Sequence, residues 1–127
     1  MKKEIESICK EESHKESCGF ILMSGDKFEI VKCNNVSTHP ESSFEISYKD
    51  LTKYLMNQKM VAIFHSHINT DEKFSEKDVK ISEELMFPFW VYSSKTKKHN
   101  VYIPKNLHNK KNIKNFCKKV RTYKCNI

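Results

Sequence analysis

The chain has 127 residues, a length typical of one domain, and carries a net charge of +7. Hydrophobic residues make up 38% of it, enough for a buried core, yet no apolar run is long enough to span a bilayer. The first residues lack the apolar segment of a secretory signal. Five cysteines, an odd number without a Cys-x-x-Cys pair, do not suggest a disulfide framework. These features exclude a membrane protein and predict a cytoplasmic one.

The positive charge permits attraction to nucleic acid or to acidic partners. Among the 23 lysine and arginine residues, however, only Arg121 is an arginine. Arginine is the residue that makes bidentate contacts with bases and phosphates. We therefore expect no specific nucleic-acid binding, and we interpret the lysines as a solvated surface.

The first third of the chain predicts a helix followed by a β-hairpin. Residues 4–10 fit a short amphipathic helix with Ile5, Ile8 and Cys9 on one face. Residues 18–23 form an apolar run of strand length, and residues 28–33 return after a turn at 24–27.

The middle of the chain predicts a loop, a helix and a buried strand. Residues 34–43 are polar, and Ser47 is placed to cap a helix over 48–58. Residues 60–64 form an apolar run that ends at His65 and favours a strand. Alternate side chains of an extended chain point the same way, so His65 and His67 share a face.

The last third predicts strands over 87–92 and 100–103 and a closing helix with apolar residues at Ile113, Phe116 and Val120. The predicted fold class is α+β, a mixed β-sheet flanked by helices. We expect one domain over 1–127, in which 105–127 is a basic C-terminal helical extension. Trp90 is predicted in the core. Four histidines are predicted at the surface: His14, His39, His99 and His108.

The segment His-Ser-His-Ile-Asn-Thr-Asp-Glu-Lys-Phe-Ser-Glu-Lys-Asp, from His65 to Asp78, carries the clearest chemical signal. Alone, Ser75-x-x-Asp78 is typical of a helix capping box, and a histidine at a strand end is typical of a surface residue or of a hydrogen-bonded core residue. Each simple interpretation explains only one member of the set. Two imidazoles and one carboxylate, with a fourth position open, are typical of a catalytic zinc site.

This pattern, His-x-His-x7-Ser-x-x-Asp, resembles the motif of the JAMM (MPN+) zinc metallopeptidases, and Glu16-Ser17-Cys18-Gly19 resembles the start of a strand in their prokaryotic and phage branch. The resemblance implies a cytidine-deaminase-like sheet flanked by helices. It also implies one Zn²⁺ ion held by His65, His67 and Asp78, with Glu16 as general base and Ser75 as oxyanion donor. From the residue pattern alone, Glu11, Glu12 and Glu16 all remain candidates for the base.

The resemblance implies hydrolysis of an amide bond near the C-terminal tail of a protein or peptide. Ubiquitin-like tails, sulfur-carrier tails and phage tail proteins are the expected partners, in the cytoplasm of a bacterium or a phage-infected host. Two other functions stay open: a phage tail-assembly protein whose contacts matter more than catalysis, and a RadC-like DNA-associated domain. Ile68 and Phe74 stand where the motif often has proline, which leaves the loop shape and the substrate preference open.

Overall fold

A five-stranded mixed sheet forms the centre of the fold. The computed structural model describes residues 1–108 and 111–124. The strands lie in the order β2-β1-β3-β4-β5, so β3 is central. Only β3 and β4 are parallel; the other neighbouring pairs are antiparallel. Their bounds are β1 (Cys18–Ser24), β2 (Lys27–Cys33), β3 (Met60–His67), β4 (Phe89–Ser93) and β5 (Lys98–Tyr102).

Helices cover both faces of the sheet, which confirms the predicted α+β class. They are α1 (Lys2–Glu11), α2 (Tyr48–Leu55), α3 (Glu76–Leu85) and α4 (Lys111–Lys124). All eight residues of β3 are buried, as expected for a central strand packed on both sides. Ile63 of β3 faces Leu51 of α2 and Leu85 of α3, whereas α4 packs on β3 from the other side.

The crossover from β3 through α3 to β4 sets where functional residues meet. Because β3 and β4 run parallel, the chain must return along the sheet between them, and α3 makes this return. The first turn of α3 therefore lies near the C-terminal end of β3. That end carries His65 and His67.

Several predicted boundaries shift by a few residues. Strand β3 does not end at His65 but continues to His67, because the ladder to β4 extends to the pair His67–Ser93. Helix α2 ends at Leu55 rather than at residue 58, since the side chain of Asn57 accepts a bond from the backbone of Lys59 and holds a turn there. Strand β4 begins at Phe89 rather than at residue 87, after Pro88.

The prediction for His99 is wrong, because this residue is only 5% exposed. Its Nδ1 accepts a hydrogen bond from Trp90 Nε1 at 2.9 Å, and its Nε2 lies 3.1 Å from Glu6 Oε1. Trp90 is in the core as predicted, and its buried N–H requires an acceptor, which the adjacent strand β5 supplies. His14 and His39 are exposed as predicted.

The described cysteines, Cys9, Cys18, Cys33 and Cys117, are all free thiols; Cys125 and the rest of 125–127 lie outside the described residues. Within 1–108 and 111–124, none of the helices has the length and apolar character needed to cross a membrane. The predicted closing helix is present as α4, so the basic C-terminal segment is helical from Lys111 to Lys124.

Candidate metal centre

Three predicted metal ligands meet at the C-terminal end of β3. One donor atom from each of His65, His67 and Asp78 lies within 4.8 Å of the other two. The Oδ2 atom of Asp78 is 3.2 Å from His65 Nε2 and 3.3 Å from His67 Nε2. All three residues are buried. The structure therefore brings together the set that the sequence pattern predicted.

The start of α3 aims the Asp78 carboxylate at the histidines. Ser75 is the N-cap, and its Oγ accepts a hydrogen bond from the backbone N–H of Asp78 at 3.0 Å. In return, the backbone N–H of Ser75 donates to Asp78 Oδ2 at 3.1 Å. This reciprocal pair is the predicted capping box. It fixes the same carboxylate oxygen that faces both imidazoles.

The ring of His65 is fully buried, and apart from the 3.2 Å approach of its Nε2 to Asp78 Oδ2 its nitrogens have no hydrogen-bond partner. The ring of Phe44 stacks on it with centroids 4.4 Å apart, and Phe89 contacts it edge-on at 5.8 Å. Burial lowers the pKa of His65, so the ring is held neutral. A buried polar nitrogen without a partner is costly, and a metal ion would satisfy it.

The second histidine, His67, is fixed by a backbone carbonyl. Its Nδ1 lies 2.7 Å from the carbonyl oxygen of Asp71, which can only accept, so Nδ1 must donate. In a neutral ring, Nε2 then directs a lone pair at the Asp78 carboxylate. Two lone pairs facing each other repel, so this contact requires either a proton or a cation between them. The arrangement is the usual support for a metal-binding histidine.

The pKa values of His67 and Asp78 shift in opposite directions. Burial opposes the charged form of His67, but its bonds to Asp78 and to the Asp71 carbonyl outweigh burial and raise its pKa. Burial likewise opposes ionisation of Asp78, yet the close imidazoles of His65 and His67 hold the pKa of this carboxyl well below its usual range. Asp78 is therefore ionised at neutral pH.

The spacing of the donor atoms fits a small divalent ion. Nitrogen and oxygen ligands about 2.0–2.2 Å from a tetrahedral centre lie about 3.3–3.6 Å from one another. The separations of 3.2 and 3.3 Å around Asp78 Oδ2 lie close to the lower end of this range. Together with the clustering of all three donor atoms, these distances make His65, His67 and Asp78 a set that could hold a metal ion.

Glu16 lines the same cleft as two of the three clustered residues, His67 and Asp78. The metal cleft, of about 260 Å³, is lined by Glu16, His67, Ser75 and Asp78 among others. Glu16 is only 6% exposed, and burial raises its pKa to about 7. A cation bound nearby would lower this pKa again. A carboxyl group that titrates near neutrality is well suited to exchange protons.

The other two candidate bases lie elsewhere. Glu11 is exposed at the end of α1, and Glu12 forms an ion pair with Lys32 at 2.7 Å. Of the three acids that the pattern left open, Glu16 is the one that lines the metal cleft.

The backbone after Glu16 is tied to the strand that carries the histidines. The N–H of Ser17 donates to Ser66 Oγ at 2.7 Å, and the N–H of Ser66 donates to the Ser17 carbonyl at 2.9 Å. Two residues on, a Cβ at Gly19 would lie 2.0 Å from the carbonyl oxygen of Val31, so only glycine fits this close approach. Glu16 is thereby held in register with His65 and His67.

The side chain of Asn35 organises the loop beside the site, a role that the sequence analysis missed. Its Nδ2 donates to the carbonyls of Glu16 and Ser43, both at 2.9 Å. Its Oδ1 accepts from the N–H groups of Ser37 at 3.0 Å and Glu45 at 3.1 Å. These bonds use the full capacity of a side-chain amide. The only signal in the sequence was an asparagine pair in a polar loop.

Replacing Asn35 by aspartate should lower the free energy of unfolding by about 1–3 kcal/mol, because two donors are lost and a carboxylate faces two carbonyls. The exposed neighbour Asn34 offers a matched control, and Asn34→Asp should change stability by less than about 0.5 kcal/mol. Urea unfolding of both variants measures the difference. Equal stability of the two would contradict the role assigned to Asn35.

Comparison with known proteins identifies the family of the chain. The sequence profile described as prokaryotic homologs of the JAB domain, Prok-JAB, matches residues 1–104. The chain belongs to this family. The matched range includes His65, His67 and Asp78, and the match confirms the predicted JAB/MPN relationship. It ends before the basic segment that contains α4.

A solved structure with a similar fold supports the architecture. The solution structure of a protein from Desulfitobacterium hafniense aligns with a TM-score of 0.60 and 18% sequence identity. The alignment covers 78% of this chain and 75% of that one. At this identity the likeness concerns the fold alone. No curated protein sequence matches the chain.

Proposed function

We propose that this JAB-domain protein is a zinc-dependent metallopeptidase. It hydrolyses an amide bond near the C-terminal tail of a protein or peptide. One observation carries the proposal: a single cleft is lined by a possible metal-binding pair, His67 and Asp78, by the buried carboxyl of Glu16 and by the hydroxyl of Ser75.

Zinc suits the donor set, because two imidazoles and one carboxylate leave a fourth position free, as in catalytic sites. When bound, zinc lowers the pKa of a water molecule toward about 7 and polarises a carbonyl group. The fully buried His65 and the capped Asp78 keep the site rigid.

Glu16 acts as the general base in this proposal. Its carboxylate accepts the proton of the attacking water and passes it to the leaving amine. The bonds of the Ser17–Ser66 pair and of Asn35 hold the Glu16 backbone beside the cleft. Burial supplies the affinity for a proton that an exposed glutamate lacks.

Ser75 stabilises the oxygen that becomes negative as the amide is attacked. Its Oγ accepts the capping bond from Asp78, which leaves the hydroxyl hydrogen free to donate to substrate. Ser75 is exposed at the rim of the cleft, where an incoming carbonyl can reach it. Ubiquitin-like tails, sulfur-carrier tails and phage tail proteins are the proposed substrates.

The proposal is tested by incubating the zinc-loaded protein with a mixture of peptides and identifying cleaved products by mass spectrometry. Cleavage is expected with zinc and not after chelation. Products that form equally in the presence of chelator, or no products from any peptide, would refute the proposal.

Two variants of Ser75 separate its catalytic role from its capping role. Ser75→Ala should lose about 1 kcal/mol of stability, whereas Ser75→Gly should lose only a few tenths, about 0.3 kcal/mol, because glycine is tolerated at an N-cap. Both should lose roughly 10²- to 10³-fold in turnover, since both lack the hydroxyl. Unfolding curves and initial rates measure the two effects. If Ser75→Gly kept wild-type turnover, the catalytic role of Ser75 would be refuted and only its role as a helix cap would remain.

A further inference from the structure

A second cleft opens beside the metal cleft. This apolar cleft, of about 320 Å³, lies between α2, α3 and the sheet, and its volume is at the lower end of the range for ligand pockets. Its walls are Phe44, Ile46, Leu51, Ile63, Leu85 and Phe89. Of these, Phe44, Ile46, Leu51 and Leu85 are half-buried and still meet solvent.

The two clefts share a wall. Phe44, Lys77 and Ile81 line both of them. The ring of Phe44 stacks on His65 with centroids 4.4 Å apart and lies 6.2 Å from the ring of Phe89 inside the apolar cleft. The apolar cleft is thus separated from a metal ligand by the thickness of one aromatic ring. A peptide residue advances about 3.3 Å along an extended chain, so the cleft lies within two residues of the reacting amide.

The shared wall is held rigidly. Asn35 bonds the carbonyl of Ser43 and the N–H of Glu45, the two residues on either side of Phe44. Lys77 bridges from α3 to Ser43, with Nζ 3.2 Å from Oγ. Phe44 therefore stays in place without a ligand, as a preformed binding wall requires.

We propose that the apolar cleft binds a large apolar side chain of the substrate, such as leucine or phenylalanine, within two residues of the amide that is cleaved. The inference rests on the proposed function and adds a substrate class to it. Glu45 and Lys77, of opposite charge, stand at the cleft with no other charged residue lining it, so they can bracket the polar backbone of a peptide whose side chain enters. A glycine at this position would leave the cleft unfilled.

The test uses two small probes, N-acetyl-leucinamide and N-acetylglycinamide, and the methyl NMR signals of isoleucine. Ile46, Ile63 and Ile81 line the apolar cleft, whereas Ile5 and Ile113 are buried in α1 and α4 and serve as internal references. The leucine probe should shift the three cleft signals with an affinity roughly tenfold to a hundredfold above that of the glycine probe. Equal binding of the two probes, or shifts at the reference signals instead, would overturn the proposal.

A variant that fills the apolar cleft with a larger side chain tests the assignment, and a tryptophan placed outside the cleft is its matched control. Ile46→Trp should abolish the preference for the leucine probe, while Met56→Trp, at a side chain that is 77% exposed outside both clefts, should keep it. If Ile46→Trp does not fold, the comparison of the two probes on the wild-type protein still shows whether the apolar cleft prefers a large apolar side chain. A leucine preference that survives in folded Ile46→Trp would refute the assignment.

Zinc content and peptide cleavage are measured on the same samples, so the two proposals can fail separately. If the protein binds zinc and cleaves peptides without preference for a nearby apolar residue, only the proposed role of the apolar cleft is refuted. A protein that binds the leucine probe but cleaves nothing overturns the proposed function and keeps the cleft as a site for apolar side chains.

Discussion

Replacement of His67 by alanine is expected to abolish stoichiometric zinc binding. His67 provides one of three ligand atoms, and its Nδ1 bond to Asp71 presets the ring, so its loss removes both a ligand and part of the preorganisation. Wild-type protein should carry one zinc per chain by elemental analysis. At a free zinc concentration 1,000-fold above Kd, zinc should stabilise the wild type by about 4 kcal/mol.

The matched control is His39→Ala, because the His39 side chain is 76% exposed and outside the metal cleft. It should bind zinc and be stabilised by zinc as the wild type is. His67→Ala should show the same melting temperature with zinc and with chelator. Equal zinc in His67→Ala and in the wild type would remove the basis of the metal assignment.

Replacement of Glu16 by glutamine should leave zinc binding intact and lower the rate of peptide hydrolysis by about 10²- to 10⁴-fold. The amide has nearly the shape of the carboxyl group but cannot accept the proton, and positioned acid–base help is worth about this factor. The three metal ligands are untouched, so elemental analysis should still find one zinc per chain. Initial rates on a peptide that the wild type cleaves measure the loss.

Glu11→Gln is the control for this experiment. Glu11 is an exposed acid that the residue pattern alone allowed as a base, and it does not line the metal cleft. Its substitution should leave the rate unchanged. Full activity of Glu16→Gln would refute its role as the base, and loss of zinc from that variant would make Glu16 a ligand instead.

The clustering of His65, His67 and Asp78 was predictable because it depends on local geometry. His65 and His67 are two apart on a strand, and Asp78 is the third residue of a helix that Ser75 begins. Strand alternation and the capping box are short-range rules that depend little on the rest of the chain. The β-hairpin at Gly25, where φ is +61°, was predictable for the same reason.

Strand ends and helix ends were less predictable, because neighbours decide them. The ladder to β4 extends β3 through His67, and the turn at Asn57 shortens α2. His99 has no sequence feature that marks it as buried. Its position follows from pairing of β4 with β5, which brings it to the indole N–H of Trp90.

By itself, the sequence determined the ligand types, their spacing and the capped start of α3, since these follow from residue identity and local backbone rules. Only the tertiary structure decided which glutamate lies in the same cleft as His67 and Asp78. Glu11, Glu12 and Glu16 are alike in sequence, but only Glu16 is carried into the metal cleft, where burial raises its pKa to about 7. The reason is that its placement depends on contacts with distant segments, from Ser66 on β3 and from Asn35 in the loop after β2.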